Sequence, residues 1–210
     1  MHNMKIKSPS TQDSTPIVFS AEMIAEINSV IAMFPEGKSK SAIIRILHIV
    51  QTHYRWTSVP AMNAVAEILN IQPIEVYEVA SFYTMFHLNP VGNYVFEVCR
   101  TGPCMIVGSD DIIAYIEEKL NVKVGGTTAD GMFTLKTAEC LGACGYAPVL
   151  QCQYKFHEHL TKEKVDEIIE AARKIGTPTK LLPKVKWRDD GRIEALLMPG
   201  DAGYNDLPDR

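Results

Sequence analysis

Apolar residues recur along the first part of the chain at the three-and-four spacing of a helix face. Met23, Ile24, Ile27, Val30 and Ile31 form one such stripe. Ser20 stands where a cap would accept orphan amides, and Pro35 with Gly37 ends the run. A wide apolar face on Ile43, Ile44, Leu47, Ile49 and Val50 predicts a second helix from Ser41 to about Tyr54. Ser58, before Val59–Pro60, reads as the start of a third, running to Leu69. Pro73 suits a first helical position and opens a fourth, ending near Phe86. Residues 17–89 are therefore predicted to be an all-helical bundle. The polar stretch 1–16, with Pro9 and Pro16, is expected to be a flexible leader.

At Asn89–Pro90–Val91–Gly92 the pattern changes. Tyr94-Val-Phe-Glu-Val-Cys99 is short, β-branched and aromatic, and reads as a strand. Asp110 to Leu120 is a helix with Ile112, Ile113, Tyr115, Ile116 and Leu120 on its buried side. Strands follow at Met132–Ala138 and Val149–Tyr154, and Thr161 caps a last helix, Lys162 to Lys174. The order predicts a parallel pair joined by a helix and followed by an antiparallel hairpin. That order resembles the core of a thioredoxin-like fold and is assigned to residues 90–176. After Gly176 the periodicity is lost, and Pro178, Pro183, Pro199 and Pro208 punctuate the chain. Trp187, Ile193, Leu196, Leu197 and Met198 are costly to leave in water. Residues 177–210 are therefore expected to be an extended C-terminal arm, whose apolar residues a partner would bury, with a turn at Asp189–Asp190–Gly191; a disordered tail is the alternative left open. The predicted fold class is α+β: an N-terminal helical bundle, a small mixed-sheet domain and the arm.

Composition narrows the function. A net charge of −4 and scattered basic residues give no nucleic-acid footprint. No run approaches the roughly 18 apolar residues of a spanning helix. The first residues lack the apolar segment of a secretory signal and contain Asp13, against a mitochondrial transit peptide. The expected site is a reducing, bacterial cytoplasm. There the five cysteines are expected to bind metal or do redox chemistry rather than form disulfides.

Four of them fall in two close pairs, Cys99-x4-Cys104 and Cys140-x3-Cys144, 35 residues apart. Each pair supplies two soft thiolates from one backbone segment, as a four-ligand metal site requires. If the strands before Cys99 and Cys140 lie level in one sheet, both pairs emerge on one edge. Gly102, Gly142 and Gly145 allow tight paths and bring amide N–H groups near sulfur. Spacing alone leaves a four-cysteine zinc site and an iron–sulfur cluster equally open. Arg100 and Lys136 are read as solvated cations. Cys152 is read as a small buried hydrophobe, and His157 and His159 as surface polarity. No Gly-x-Gly-x-x-Gly or Walker sequence appears, so no NADH or FMN pocket is expected in this chain.

The wording around the cysteines separates the two metals. Cys99-Arg-Thr-Gly-Pro-Cys104 and Cys140-Leu-Gly-Ala-Cys144-Gly-Tyr-Ala-Pro148 resemble the cluster motifs of the 24 kDa subunit family of respiratory complex I, in bacteria the E subunit of NADH-quinone oxidoreductase. Val76–Phe86 and Pro60–Ala66 are similar to that family's helical part. The resemblance covers about residues 20–175. It implies a thioredoxin-like [2Fe–2S] ferredoxin domain with one cluster on Cys99, Cys104, Cys140 and Cys144. It implies single-electron exchange with FMN on a partner subunit that also binds NADH. It places the chain in the peripheral arm of a membrane-attached complex, on the cytoplasmic face, as an oxidoreductase subunit without a complete active site of its own. Relatives serving NAD-linked hydrogenases or formate dehydrogenases share these motifs. A zinc interaction module built on the same four cysteines is the reading from a different functional class.

Overall fold

Ser20 caps the first helix through its hydroxyl, which accepts the Met23 N–H at 3.2 Å. That helix, α1, spans Ala21–Ile31. The computed structural model describes residues 17–153, 155–177, 184–187 and 193–197. The chain forms two compact units, one up to Pro90 and one from Val91. In the first unit α1 is followed by α2 (Ile43–Tyr54), α3 (Val59–Leu69) and α4 (Pro73–Phe82). Ser58 caps α3 by accepting from the Ala61 N–H at 3.3 Å. α3 stops on Asn70 in the left-handed region, where a short polar side chain tolerates the conformation. Pro73 opens α4, and the Glu75 carboxylate accepts the Gln72 N–H at 2.9 Å. The apolar stripes converge on one core, including Ile27, Ile46, Leu47, Met62, Val65 and Val76.

Two boundaries in this unit differ from the expectation. Residues 39–42 form a tight 3-10 turn, so α2 begins at Ile43. α4 ends at Phe82 because Tyr83 turns to an extended backbone, ψ 112°. The aromatic run to Phe86 therefore does not continue the helix. Phe86 is buried while Phe82 is 77% exposed.

The second unit is built on β1 (Tyr94–Cys99). It continues through a one-turn helix, α5 (Pro103–Ile106), then α6 (Ser109–Leu120) and β2 (Phe133–Ala138). β3 (Leu150–Cys152), β4 (Lys155–His157) and α7 (Lys162–Ile175) complete it. The sheet order is β2-β1-β3-β4. β1 and β2 are parallel, and β3 is antiparallel to both β1 and β4. The parallel pair joined by a helix was expected, but the antiparallel third strand pairs with β1 and β4 rather than in a hairpin with β2. β4 and α5 were not expected. Alternation places Tyr94, Phe96, Val98, Phe133, Leu135, Leu150 and Cys152 in one core with Ile112, Ile116, Val165 and Ile169 from α6 and α7. Each fully buried side chain of this size contributes about 1.5–3 kcal/mol. The Tyr115 hydroxyl donates to Asp166 at 2.8 Å and ties α6 to α7.

In the region read as an extended arm, β5 (Lys184–Trp187) and β6 (Ile193–Leu197) pair antiparallel as a two-stranded sheet. The leader 1–16, the Asp189–Asp190–Gly191 turn and residue 154 lie outside the described residues. Among the described residues, no helix is long and apolar enough to cross a membrane.

Candidate metal centre

The cysteine loops grow out of the β1–β2 pair. Past Cys99 the chain turns at Gly102, where a positive φ of 52° favours a residue without Cβ. Pro103 then opens α5, and this single turn swings Cys104 back toward Cys99. Both are 2% exposed and pack with Val149, beside Leu141, Ala143 and Ala147. Past β2 the second loop turns at Gly142, φ 74°. Cys144 then begins a 3-10 turn through Tyr146. Cys140 and Cys144 are exposed.

The thiols interact most strongly within each pair. Cys99 and Cys104 are within hydrogen-bonding reach of each other, as are Cys140 and Cys144. Between the pairs the interaction is charge on charge: Cys144 feels Cys99, and Cys104 feels Cys144. The Cys99–Cys104 pair is thus the buried one and the Cys140–Cys144 pair the exposed one.

Backbone donors surround the sulfurs. The Gly142 N–H donates to Cys140 Sγ at 3.4 Å. The amides of Thr101 and Leu141 face Cys99, and that of Val149 faces Cys104. Burial pushes the Cys99 thiol up. The Thr101 and Leu141 amides, with Cys104 and the Thr101 side chain, outweigh it and hold Cys99 below the ordinary thiol range. Cys104 is raised, by burial first and by the neighbouring Cys99 second. Cys144 is raised mainly by charge on Cys140.

Among the described residues, no group of three or more His, Cys, Asp or Glu side chains stands placed to hold a metal ion. A structural zinc site asks four ligands to converge on one ion. A [2Fe–2S] cluster asks for two ligands on each iron. Soft thiolates from two loops leaving one sheet edge, with amides facing sulfur, are a donor set of the kind such a cluster takes.

The other residues weighed from the sequence lie elsewhere. Cys152 is on the helix-covered face of the sheet, and burial pushes its thiol up to about 12. His157 is half-buried on β4. His159 meets the Tyr146 ring edge-on, 5.7 Å between centroids. Arg100 is exposed, whereas Lys136 is half-buried and lies beside Glu97. Sequence reading missed Thr101. Its hydroxyl donates to the Glu139 carbonyl and so joins the two cysteine loops. A hydroxyl between two cysteines was the only signal, and its partner is 38 residues away.

Comparison with known proteins agrees with this architecture. The family model of the thioredoxin-like [2Fe-2S] ferredoxins matches residues 27–173. The E subunit of NADH-quinone oxidoreductase from Rickettsia felis is 41% identical, over 75% of this chain and 95% of the relative. The mitochondrial NADH dehydrogenase [ubiquinone] flavoprotein 2 of Dictyostelium discoideum is 37% identical, over 85% of this chain and 72% of the relative. A crystal structure of NAD+-reducing [NiFe]-hydrogenase in the air-oxidized state shares the fold, with a TM-score of 0.57 at 19% identity. That match covers 64% of this chain and 23% of the hydrogenase chain, and it is a likeness of fold alone. With its profile matched across both units and its relatives aligned over most of their length, this chain belongs to the thioredoxin-like [2Fe-2S] ferredoxin family.

Proposed function

We propose that this chain is the electron-transfer subunit of the NADH-dehydrogenase module of an NADH-quinone oxidoreductase, and that Cys99, Cys104, Cys140 and Cys144 hold one [2Fe–2S] cluster. The observation that carries the reading is the β1–β2 register, which sets Cys99 level with Ala138 and so sends both cysteine loops off one sheet edge. In this reading Cys99 and Cys104 hold one iron, and Cys140 and Cys144 the other. Such a cluster, when bound, supplies a one-electron couple of low potential, about −400 mV in plant-type ferredoxins. The chain's own residues set the surroundings of that couple. Amides of Thr101, Leu141, Gly142 and Val149 offset negative charge on the sulfurs. The buried Cys99 and Cys104 keep water from the inner side. The exposed Cys140 and Cys144 leave the outer side open to a redox partner.

The partner proposed is a subunit that binds FMN and NADH and does the hydride chemistry, in the peripheral arm on the cytoplasmic face. Attachment to the membrane would come through other subunits. The same site would serve the diaphorase module of an NAD-linked hydrogenase or formate dehydrogenase. The test is to co-purify the chain with its flavin subunit and follow the cluster's EPR signal after NADH addition. The signal should develop with the partner bound and stay absent with the isolated chain. A cluster that NADH leaves oxidised in the bound pair would overturn the flavin-partner assignment.

A further inference from the structure

One side chain that is not a cysteine joins the two loops. The Thr101 hydroxyl donates to the main-chain carbonyl of Glu139. Thr101 also aims its own amide at the Cys99 sulfur. Cys99 Sγ lies 3.8 Å from that same Glu139 oxygen, positioned as a thiol donor to it. Metal binding removes the thiol proton. The negative end of the carbonyl then faces a thiolate, with no sulfur-borne proton between them. The Thr101 hydroxyl, which also lies within reach of the Cys99 sulfur, is the remaining side-chain donor to that oxygen.

We propose that Thr101 is a positioning residue of the cluster site. Its hydroxyl occupies the Glu139 carbonyl so that the Cys99 sulfur can carry metal and negative charge beside it, and it ties the Cys99–Cys104 loop to the Cys140–Cys144 loop. This rests on the cluster reading above. Without the hydroxyl, the bare carbonyl dipole opposes an added electron, because charge and hydrogen bonding around the sulfurs tune the potential. The two loops also separate more readily, so metal is lost faster.

Thr101→Val keeps the shape and deletes the donor, while Thr101→Ser keeps the donor. The full chain and both variants, purified anaerobically, are compared for iron and sulfide content, midpoint potential by EPR redox titration, and rate of iron loss to a chelator. The serine variant should match the unaltered chain. The valine variant should show a reduction equilibrium three- to tenfold less favourable, a downward shift of up to about 59 mV for a one-electron couple, and iron loss several-fold faster. If the valine variant assembles no cluster, the serine variant decides: a normal cluster there supports the hydroxyl's role, and its loss overturns it. A valine variant with unaltered potential and iron loss overturns the proposal, as does a serine variant equally impaired. An unaltered chain lacking iron and sulfide overturns the cluster reading itself, a failure visible before any variant is compared.

Discussion

Cys99 stands directly opposite Ala138 across the parallel β1–β2 pair, so both cysteine loops leave the sheet at one level. A slip of one residue would reverse the faces of β1 and carry Cys99 away from its partner loop. The register is held by the core side of the same strands, where Tyr94 meets Phe133 and Phe96 meets Leu135. Packing on one face thus sets the position of sulfur on the other.

Cys140→Ser should remove or greatly weaken the cluster while the helical unit stays folded, because Cys140 is exposed and outside both large cores. Visible absorption, reduced-state EPR and far-UV circular dichroism on the same sample give the answer. A normal visible spectrum and EPR signal would count against the assignment.

Cys152 is distinguished by burial, which pushes its thiol up to about 12. The thiolate is the reactive form, so Cys152 should resist alkylation at pH 8 in the folded, metal-free chain. Cys140 and Cys144, being exposed, should react within the same period. Mass spectrometry of peptides after timed iodoacetamide treatment checks this. Modification of Cys152 as fast as Cys140 would show that the sheet face is open.

Phe96 is fully buried, with its ring centroid 5.3 Å from that of Phe133. Phe96→Ala should destabilise the ferredoxin unit by about 3–5 kcal/mol, through lost burial plus a residual cavity. Denaturant unfolding of the metal-free protein measures it. A loss under about 1 kcal/mol would mean that the core does not depend on this strand.

Acid should weaken the helical unit. Burial, and then the charge of Arg45, lowers the His48 pKa from its ordinary value of 6.5. The unfolded chain then takes up the proton more readily than the folded one. Stability is full above about pH 6.5 and falls as the pH drops from there toward the lower folded value. His157 contributes in the same direction in the second unit, by burial first and Lys155 second. The denaturation midpoint should be lower at pH 5.5 than at pH 7.5, and His48→Gln should shrink the difference. An undiminished difference in that variant would assign the effect elsewhere.

The helices were legible wherever a periodic stripe met a cap, as at Ser20, Ser58, Pro73 and Thr161. The end of α4 was not, because Phe82 to Phe86 keeps an apolar texture after Tyr83 has left the helix. β4 was missed because Lys155-Phe-His157 has no strand pattern of its own. It is a strand only through pairing with β3. α5 is a single turn, too short for periodicity, although Pro103 marked its start. At the site, the strand readings sufficed to send the loops after β1 and β2 off one sheet edge, because Cys99 and Ala138 end the parallel pair level. The Thr101–Glu139 link depends on two loops meeting in space, and local pattern carries no trace of such a contact.

The most direct test is the metal and sulfide content of the anaerobically purified chain, read beside its visible absorption and its EPR spectrum with and without dithionite. Two irons and two acid-labile sulfides per chain, with a signal only after reduction, are predicted. One zinc without sulfide, persisting after attempted reconstitution, would leave the fold standing and contradict the electron-transfer function.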